Sequence, residues 1–165
     1  MKLVVDQPIA LSARDAQGVF VDPAFYNELG ALAGISAPTL LSFSKAENRA
    51  RLVLGYRFSG QLSGPAAMLL DTKKLTWAQQ TDVDLSSRRT QVRMVPDNYK
   101  DFFSFEGWYE LRDIDEGNCT QHLEADLIVH VPLLGPLAER AIAMSVRQNL
   151  AETAQLVERY GKQGR

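Results

Sequence analysis

Residues 121–136 read QHLEADLIVHVPLLGP, and this stretch contains the pattern that decides the fold. Apolar residues occupy every second position from Leu123 to Val131, and mostly polar residues lie between them. Because side chains alternate between the two faces of a strand, the pattern predicts a strand with one face on a core and one in water. Pro132 ends this strand, and Gly135-Pro136 is a suitable start for a helix.

The segment that follows predicts a long helix. Its apolar positions form one broad stripe at helical spacing: Leu137, Ala138, Ala141, Ile142, Val146, Leu150, Thr153 and Val157. A C-cap near Gly161 would give a helix of about 25 residues, roughly 35–40 Å long at 1.5 Å per residue. A helix of this length needs a partner surface, and the stripe indicates that the sheet is that partner.

Before the central strands, the chain predicts one strand and two short helices. The strand covers about Lys2–Leu11 and contains Pro8, which cannot donate to a ladder, so we expect it at an edge of the sheet. Ser12, followed three residues later by an aspartate, resembles a capping box that opens the first helix. Asp22-Pro23 supplies the start of the second helix, which we expect to close at Gly34.

Between the second helix and the long helix, the period of the pattern changes to two. Clusters of Gly, Pro, Asn and Asp recur about every ten residues from Thr39 to Val131, as in an antiparallel sheet. The sequence therefore predicts an α+β protein: a curved antiparallel sheet of about seven strands, two short helices after strand 1, and a C-terminal helix packed across the sheet. With 165 residues and 45% apolar content, we expect one domain over residues 1–165.

This order of elements resembles the helix-grip fold of the START-like (SRPBCC) superfamily, in particular an uncharacterised bacterial branch of it. The resemblance rests on Asp22-Pro23-Ala24-Phe25, on Phe105-x-Gly107-x-Tyr109-x-Leu111, and on Val131-Pro132-Leu133-Leu134-Gly135 with Glu139 shortly after. It implies a cavity between the sheet and the last helix for an apolar or amphipathic ligand. It implies no particular chemistry, because the superfamily, which includes polyketide cyclase/aromatases, contains both carriers and enzymes.

Composition and charge exclude several classes of function. The formal net charge is −2, which gives no general attraction to nucleic acid or to an anionic membrane. A single cysteine excludes an internal disulfide and a cysteine-based zinc site. We find no integral membrane segment and no signal peptide in the pattern, so we expect a cytoplasmic protein. The sequence leaves a monomer and a homodimer equally open.

Several motifs that suggest chemistry have simpler explanations. His122, Glu124, Asp126 and His130 share one strand face, but the two histidines lie roughly 26 Å apart at 3.3 Å per residue, so we expect no metal site. Ser42-x-x-Lys45 matches a serine acyl-enzyme pattern but lies in a predicted strand. Arg88, Arg89 and Arg93, with Lys73 and Lys74, form a basic patch with no phosphate-binding loop, and Cys119 has no activating neighbour. We therefore predict no catalytic residue and no cofactor.

The aromatic residues of the predicted strands point to a ligand. A tyrosine hydroxyl is costly to bury without a partner, so an inward Tyr56 or Tyr109 suggests a ligand or water beside it. Core filling explains the same residues as well. If the cavity exists, we expect nine residues to line it: Tyr56, Phe58, Trp77, Phe105, Tyr109 and Leu127 from the sheet, and Ile142, Val146 and Leu150 from the helix.

Three functional hypotheses follow. The first is a binding module for a small hydrophobic or amphipathic molecule held between the sheet and the C-terminal helix. The second is a cyclase/aromatase-like enzyme, which requires an acid or a base inside the cavity. The third is an interaction protein without a ligand, with Trp108 as an exposed anchor on the outer face of the sheet.

Overall fold

The computed structural model describes residues 1–163, and these form a seven-stranded sheet with four α-helices. The strands are β1 (Lys2–Ile9), β2 (Thr39–Ala46), β3 (Arg49–Arg57), β4 (Thr76–Asp84), β5 (Arg89–Pro96), β6 (Phe103–Asp115) and β7 (Asn118–Val129). The helices are α1 (Ala13–Phe20), α2 (Pro23–Glu28), α3 (Gly64–Leu69) and α4 (Gly135–Gln163), with a 3₁₀ turn at Thr72–Lys74. This is the helix-grip α+β arrangement that the sequence predicts.

The sheet is antiparallel throughout, in the order β1-β7-β6-β5-β4-β3-β2. The predicted edge position of β1 is confirmed, and Pro8 pairs with Thr120 without a shift in register. In the alternating row from Leu123 to Val131, all residues are buried except Val129, which is partly buried and packs against the same core on the inner side of the sheet.

The two N-terminal helices begin as predicted, but the second one ends earlier. The side chain of Ser12 accepts a hydrogen bond from the Asp15 amide, and Asp22 caps α2 through the Ala24 amide. The helix ends at Glu28 because Leu29 is already extended. Gly34, with a φ of +77°, instead lies in a turn that Leu32 and Ile35 close with two backbone hydrogen bonds.

The connection between β3 and β4 contains α3 and the 3₁₀ turn, two elements that no pattern in the sequence predicts. Ser63 precedes the helix, and Pro65 stands in its first turn. None of its six residues is buried, so it carries no core-facing periodicity from which a helix could be predicted.

The C-terminal helix is longer than predicted, because it continues through Gly161 to Gln163. A β-carbon on Gly161 would lie 2.6 Å from Leu11 Cδ1 and 3.4 Å from Val19 Cγ2. The glycine therefore permits close packing of α4 against this part of the core, and is not a C-cap. No helix within residues 1–163 has both the length and the apolarity to cross a membrane.

Three glutamates attach α4 to the rim of the sheet. The Glu139 carboxylate accepts a hydrogen bond from the Val129 amide at 3.1 Å, and Glu158 accepts one from the Ala10 amide at 2.8 Å. Between them, Glu152 accepts a hydrogen bond from the amide of Ala33 at 3.3 Å. The helix packs mainly on β1, β7 and α1, so it lies across one side of the inner face.

Candidate functional site

Along β3 to β7, the charged side chain at an inward position is Asp113, near the end of β6, and its carboxylate is engaged by the Ala13 amide and by Arg88. The uncharged inward positions over the core are Ala50, Leu52, Leu54, Tyr56, Trp77, Gln79, Thr81, Val83, Thr90, Val92, Met94, Phe105, Gly107, Tyr109, Leu111, Gln121, Leu123, Ala125 and Leu127. The polar groups among them are hydroxyls, amides and one indole. This surface can therefore offer neutral hydrogen bonds but no counter-ion.

The structure divides the predicted sheet residues into two groups. Phe105, Tyr109 and Leu127 are buried in the main core, Leu127 completely so. Tyr56 and Trp77 face each other across β3 and β4, with ring centroids 5.8 Å apart and nearly parallel planes. These two rings and Phe58, which follows β3 directly, are only partly buried. The first group therefore fills the core, whereas the second lies where the inner face becomes accessible.

The predicted helix residues lie against the same core. Ile142, Val146 and Leu150 of α4 are partly buried and pack on the main hydrophobic cluster. Met144, on the opposite side of the helix, is 72% exposed. Asn149 lies on the flank between the core-facing residues and Glu152, which reaches the segment after α2.

A tyrosine outside the sheet joins the inner face. The Tyr26 hydroxyl of α2 donates a hydrogen bond to the Phe20 carbonyl at 2.7 Å. Its pKa is raised well above the usual range, first by burial and then by the nearby phenol groups of Tyr109 and Tyr56. Periodicity within the short second helix cannot show that Tyr26 meets the two tyrosines of the sheet.

Burial keeps the other inner phenols protonated. It raises the pKa of Tyr109 to about 12, although a hydrogen bond from Thr90 partly opposes the shift. Burial raises the pKa of Tyr56 as well. The three phenols are therefore neutral groups that can donate and accept hydrogen bonds at physiological pH.

Two buried polar atoms in the described residues lack a hydrogen-bond partner within the protein. They are Nε1 of Trp77, on the inner face of the sheet, and Oδ1 of Asn149, on α4. Most buried polar groups in folded proteins are paired, and each exception needs an explanation. One atom is a donor and the other an acceptor, and they belong to the sheet and to the helix respectively.

Two open clefts lie outside the space between the sheet and α4. One, of about 460 Å³, is lined by residues of β2, β3 and β4, among them Leu41 and the predicted site residues Tyr56 and Trp77. The other, of about 520 Å³, is formed by α3, the 3₁₀ turn and Tyr99. Neither cleft has a residue of α4 in its lining, so the first contains the sheet residues Tyr56 and Trp77 of the predicted site without the helix residues.

The histidine cluster on the outer face is a set of ion pairs. The two ring nitrogens of His122 lie 2.6 Å from Asp6 Oδ1 and 3.0 Å from Glu124 Oε1. The two carboxylates therefore lie on opposite sides of the ring. Within residues 1–163, no group of three or more His, Cys, Asp or Glu side chains is arranged to hold a metal ion.

Other outer-face candidates are also occupied by contacts within the chain. The Arg89 guanidinium lies 3.8 Å from the centre of the Trp108 ring, and His122 contacts the same ring. Because Trp108 is partly buried by these neighbours, it is not a free anchor for a partner protein. Arg88 pairs with Asp113, and Arg93 pairs with Glu106, so these arginines of the basic patch are neutralised.

The two nucleophile candidates are not activated. Cys119 is fully buried, and burial raises the pKa of its thiol to about 11. Ser42 and Lys45 lie on β2, which lacks the helical turn that would bring a serine and a lysine together.

Structural comparison defines the class of protein. At 13% identity, TTHA0849 from Thermus thermophilus matches with a TM-score of 0.67 and covers 99% of each chain. The Zhui aromatase/cyclase from Streptomyces sp. R1128 matches at 14% identity and a TM-score of 0.66, over 98% of this chain and 93% of that one. A START superfamily protein from Mycobacterium smegmatis matches at 13% identity and a TM-score of 0.57, over 99% of each chain. The chain therefore has the START-like helix-grip fold.

Sequence comparison then gives the family. The model of the family described as "Protein of unknown function (DUF2505)" matches residues 5–160, and the chain belongs to that family. Comparison with curated proteins finds no match.

Proposed function

We propose that this protein binds a small hydrophobic or amphipathic molecule between the inner face of the sheet and α4. The observation that carries the proposal is the stacked pair of Tyr56 and Trp77, which lies on the apolar inner face of the sheet, is only partly buried and lines an open cleft. Aromatic side chains with a few neutral polar groups are typical of a site for a mostly apolar molecule. Tyr56, Phe58 and Trp77 would contact its apolar part from the sheet, and Val146 from the helix.

The fold and the composition of the inner face support this proposal. Ligand sites are mostly apolar and aromatic, with a few polar groups that orient the ligand, and the inner face has this character. The similar structures include a START superfamily protein and an aromatase/cyclase. For this chain we further propose a cytoplasmic location, and a monomer or homodimer as the binding unit.

A cyclase-like enzyme is not favoured. Acid–base catalysis needs a positioned group with a suitable pKa, and His and carboxylates are the usual choices. The inward carboxylate on β3 to β7, Asp113, is already engaged by the Ala13 amide and Arg88, and both histidines lie elsewhere, His122 on the outer face and His130 just beyond β7. The inner tyrosines have raised pKa values, which makes them poor bases.

A packing variant tests for free space under α4. Val146→Phe adds a large ring on the inner side of the helix, and Met144→Phe adds the same ring on the exposed side. If a ligand space exists, we expect Val146→Phe to fold with almost unchanged stability and to lose ligand binding. The measurement is a thermal shift across apolar and amphipathic compounds, combined with native mass spectrometry of the purified protein.

A destabilised variant would indicate that the space under α4 is already filled by side chains. In a solid core, the extra ring destabilises the fold by about 1–3 kcal/mol through overpacking. A destabilised Val146→Phe, together with a wild-type protein that retains and binds no compound, would refute the proposed function. Met144→Phe controls for the effect of an added aromatic ring on the helix itself.

A further inference from the structure

The first half of α4 carries apolar side chains on two sides. Ile142 and Val146 pack on the main core, whereas Leu137 and Met144 are mostly exposed. Ala141, also exposed, lies between the latter two at helical spacing, so these three residues share the solvent side of the helix. A surface helix normally carries polar residues opposite its buried face, so a second apolar side needs an explanation.

The loop that leads into α4 adds another exposed leucine. Leu133 is 97% exposed, and its φ of +67° lies in the left-handed region, which a bulky side chain rarely adopts. Strained residues of this kind concentrate at functional sites. We call Leu133, Leu137, Ala141 and Met144 the outer stripe.

The charges beside the outer stripe are mostly positive. Arg140 and Arg147 are exposed, and neither forms an ion pair with another described residue. Glu139 is the single carboxylate in the first half of α4, and it is directed toward the sheet, where it accepts a backbone hydrogen bond. The turn before β6 adds one exposed charge of each sign, Lys100 and Asp101. Although the net charge of the chain is −2, the exposed side of this half-helix is therefore basic.

This combination of charge and shape favours one kind of partner. In a symmetric dimer, the outer stripe would face its own copy, and the unpaired arginines would meet without a carboxylate between them. A partner helix usually docks into a groove, whereas the outer stripe lies on the convex side of a helix. An anionic lipid surface fits both features, because its acyl region accepts the apolar side chains and its headgroups attract the arginines.

We propose that the outer stripe, with Arg140 and Arg147, is a docking surface for an anionic membrane. The leucines enter the boundary between headgroups and acyl chains, and the two arginines lie at the level of the headgroups. The proposal goes beyond the proposed function and does not depend on it, because the outer stripe lies on the side of α4 that faces away from the core.

Vesicles of two compositions test the proposal. The full chain is co-sedimented with vesicles of phosphatidylcholine alone, and with vesicles that contain roughly one third phosphatidylglycerol. We expect at least about tenfold tighter binding to the anionic vesicles, because two arginines contribute to the attraction. Most of this binding should be lost at about 0.5 M salt, which screens the charges.

Apolar variants connect the binding to the outer stripe. Leu133→Gly removes an exposed side chain and also the strain of the positive φ, so we expect it to fold with stability close to that of the wild type. We expect Leu133→Gly and Leu137→Gln each to weaken binding to anionic vesicles severalfold. The matched control is Ile114→Gln, because Ile114 is also mostly exposed but lies at the other end of β6.

Charge variants test the role of the arginines. We expect the double variant Arg140→Gln and Arg147→Gln to bind anionic vesicles no better than neutral ones. Arg159→Gln is the control, since Arg159 is exposed near the far end of the same helix. This control should retain the wild-type preference for anionic vesicles.

Several results would overturn the proposal. One is no binding to either kind of vesicle, which would leave an acidic protein surface as the better partner for this basic face. Another is equal binding to both kinds of vesicle, or unchanged binding in Leu133→Gly and Leu137→Gln. Analytical ultracentrifugation tests the remaining alternative, because a wild-type dimer that Leu137→Gln converts to a monomer would identify the outer stripe as a contact between two copies of this chain.

Discussion

At the scale of single residues, the contacts of His122 on the outer face depend on the charge of its ring. Its side chain is only 12% exposed, and both ring nitrogens contact carboxylates, Asp6 from β1 and Glu124 from β7. A neutral imidazole has one N–H donor, so only the protonated ring can donate to both. The hydrogen bond to Glu124, then that to Asp6, raises the pKa of His122, while its limited exposure and the charge of Arg112 on β6 oppose the shift.

This arrangement predicts that stability depends on pH. Because the pKa is higher in the folded state than the unfolded value of about 6.5, the stabilisation is fully present below that value. It is lost as the pH rises through the folded pKa. We expect the free energy of unfolding, measured in urea between about pH 6 and about pH 9, to fall with increasing pH.

Substitution of each histidine in turn tests whether His122 causes the pH dependence of stability. His122→Gln removes the charged ring, so we expect a flatter dependence of stability on pH than in the wild type. His130→Gln changes an exposed residue just beyond β7 and serves as the matched control. If the two variants have the same pH profile, His122 is not the source of the effect.

At the scale of elements, local pattern predicts the strands and helices that bury one face. The alternation along β7 and the apolar stripe of α4 are sufficient to predict these two elements, because each pattern reflects burial against a neighbouring layer. Local pattern could not predict the role of Gly161, since a glycine near the end of a helical stripe is equally typical of a C-cap. Only the packing of Leu11 and Val19 against it distinguishes the two.

At Gly107, the close approach of β6 to β7 predicts a loss of stability on substitution. A β-carbon there would lie 2.3 Å from the Glu124 carbonyl oxygen and 2.6 Å from the Ala125 Cα atom, both on the neighbouring strand β7. The clash is with backbone, which cannot move aside without disturbing the β6–β7 pairing. We expect Gly107→Ala to destabilise the fold by at least about 2 kcal/mol, measured by urea unfolding.

The turn between the same two strands supplies the control. A β-carbon on Gly117 would meet no atom within 4 Å, so Gly117→Ala should change stability by less than about 0.5 kcal/mol. Equal effects of the two substitutions would mean that close approach at Gly107 does not limit the sheet.

At the scale of the whole molecule, the lining of the proposed site is the part that sequence alone could not resolve. Alternation places Tyr56, Trp77, Phe105 and Tyr109 on one face, but it does not say which of them a helix will cover. That depends on α4 lying mainly over β1 and β7, which leaves Tyr56 and Trp77 only partly buried. Tyr26 joins them through long-range packing of α2, and nothing in its local sequence signals this contact.

Residues near each end of the chain form hydrogen bonds with distant parts of it, which favours a single folding unit. The Met1 ammonium donates to the Leu127 carbonyl at 2.7 Å, and the Tyr160 hydroxyl donates to Asp22 at 2.8 Å. The first strand also pairs with the last, and α4 packs on both. Because β1, α1, β6, β7 and α4 all contribute buried residues to the main core, we predict that residues 1–165 unfold as a single domain.

Cooperative unfolding tests this prediction with two independent signals. Far-UV circular dichroism reports mostly on α4, whereas tryptophan fluorescence reports on the sheet through Trp77 in β4 and Trp108 in β6. We expect both signals to give the same midpoint in urea, as in a two-state transition. Variants Trp77→Phe and Trp108→Phe, each with one remaining tryptophan, separate the two halves of the sheet. Different midpoints for helix and sheet, or for the two tryptophans, would show that the chain contains more than one unit, because an all-or-none domain loses all of its contacts together.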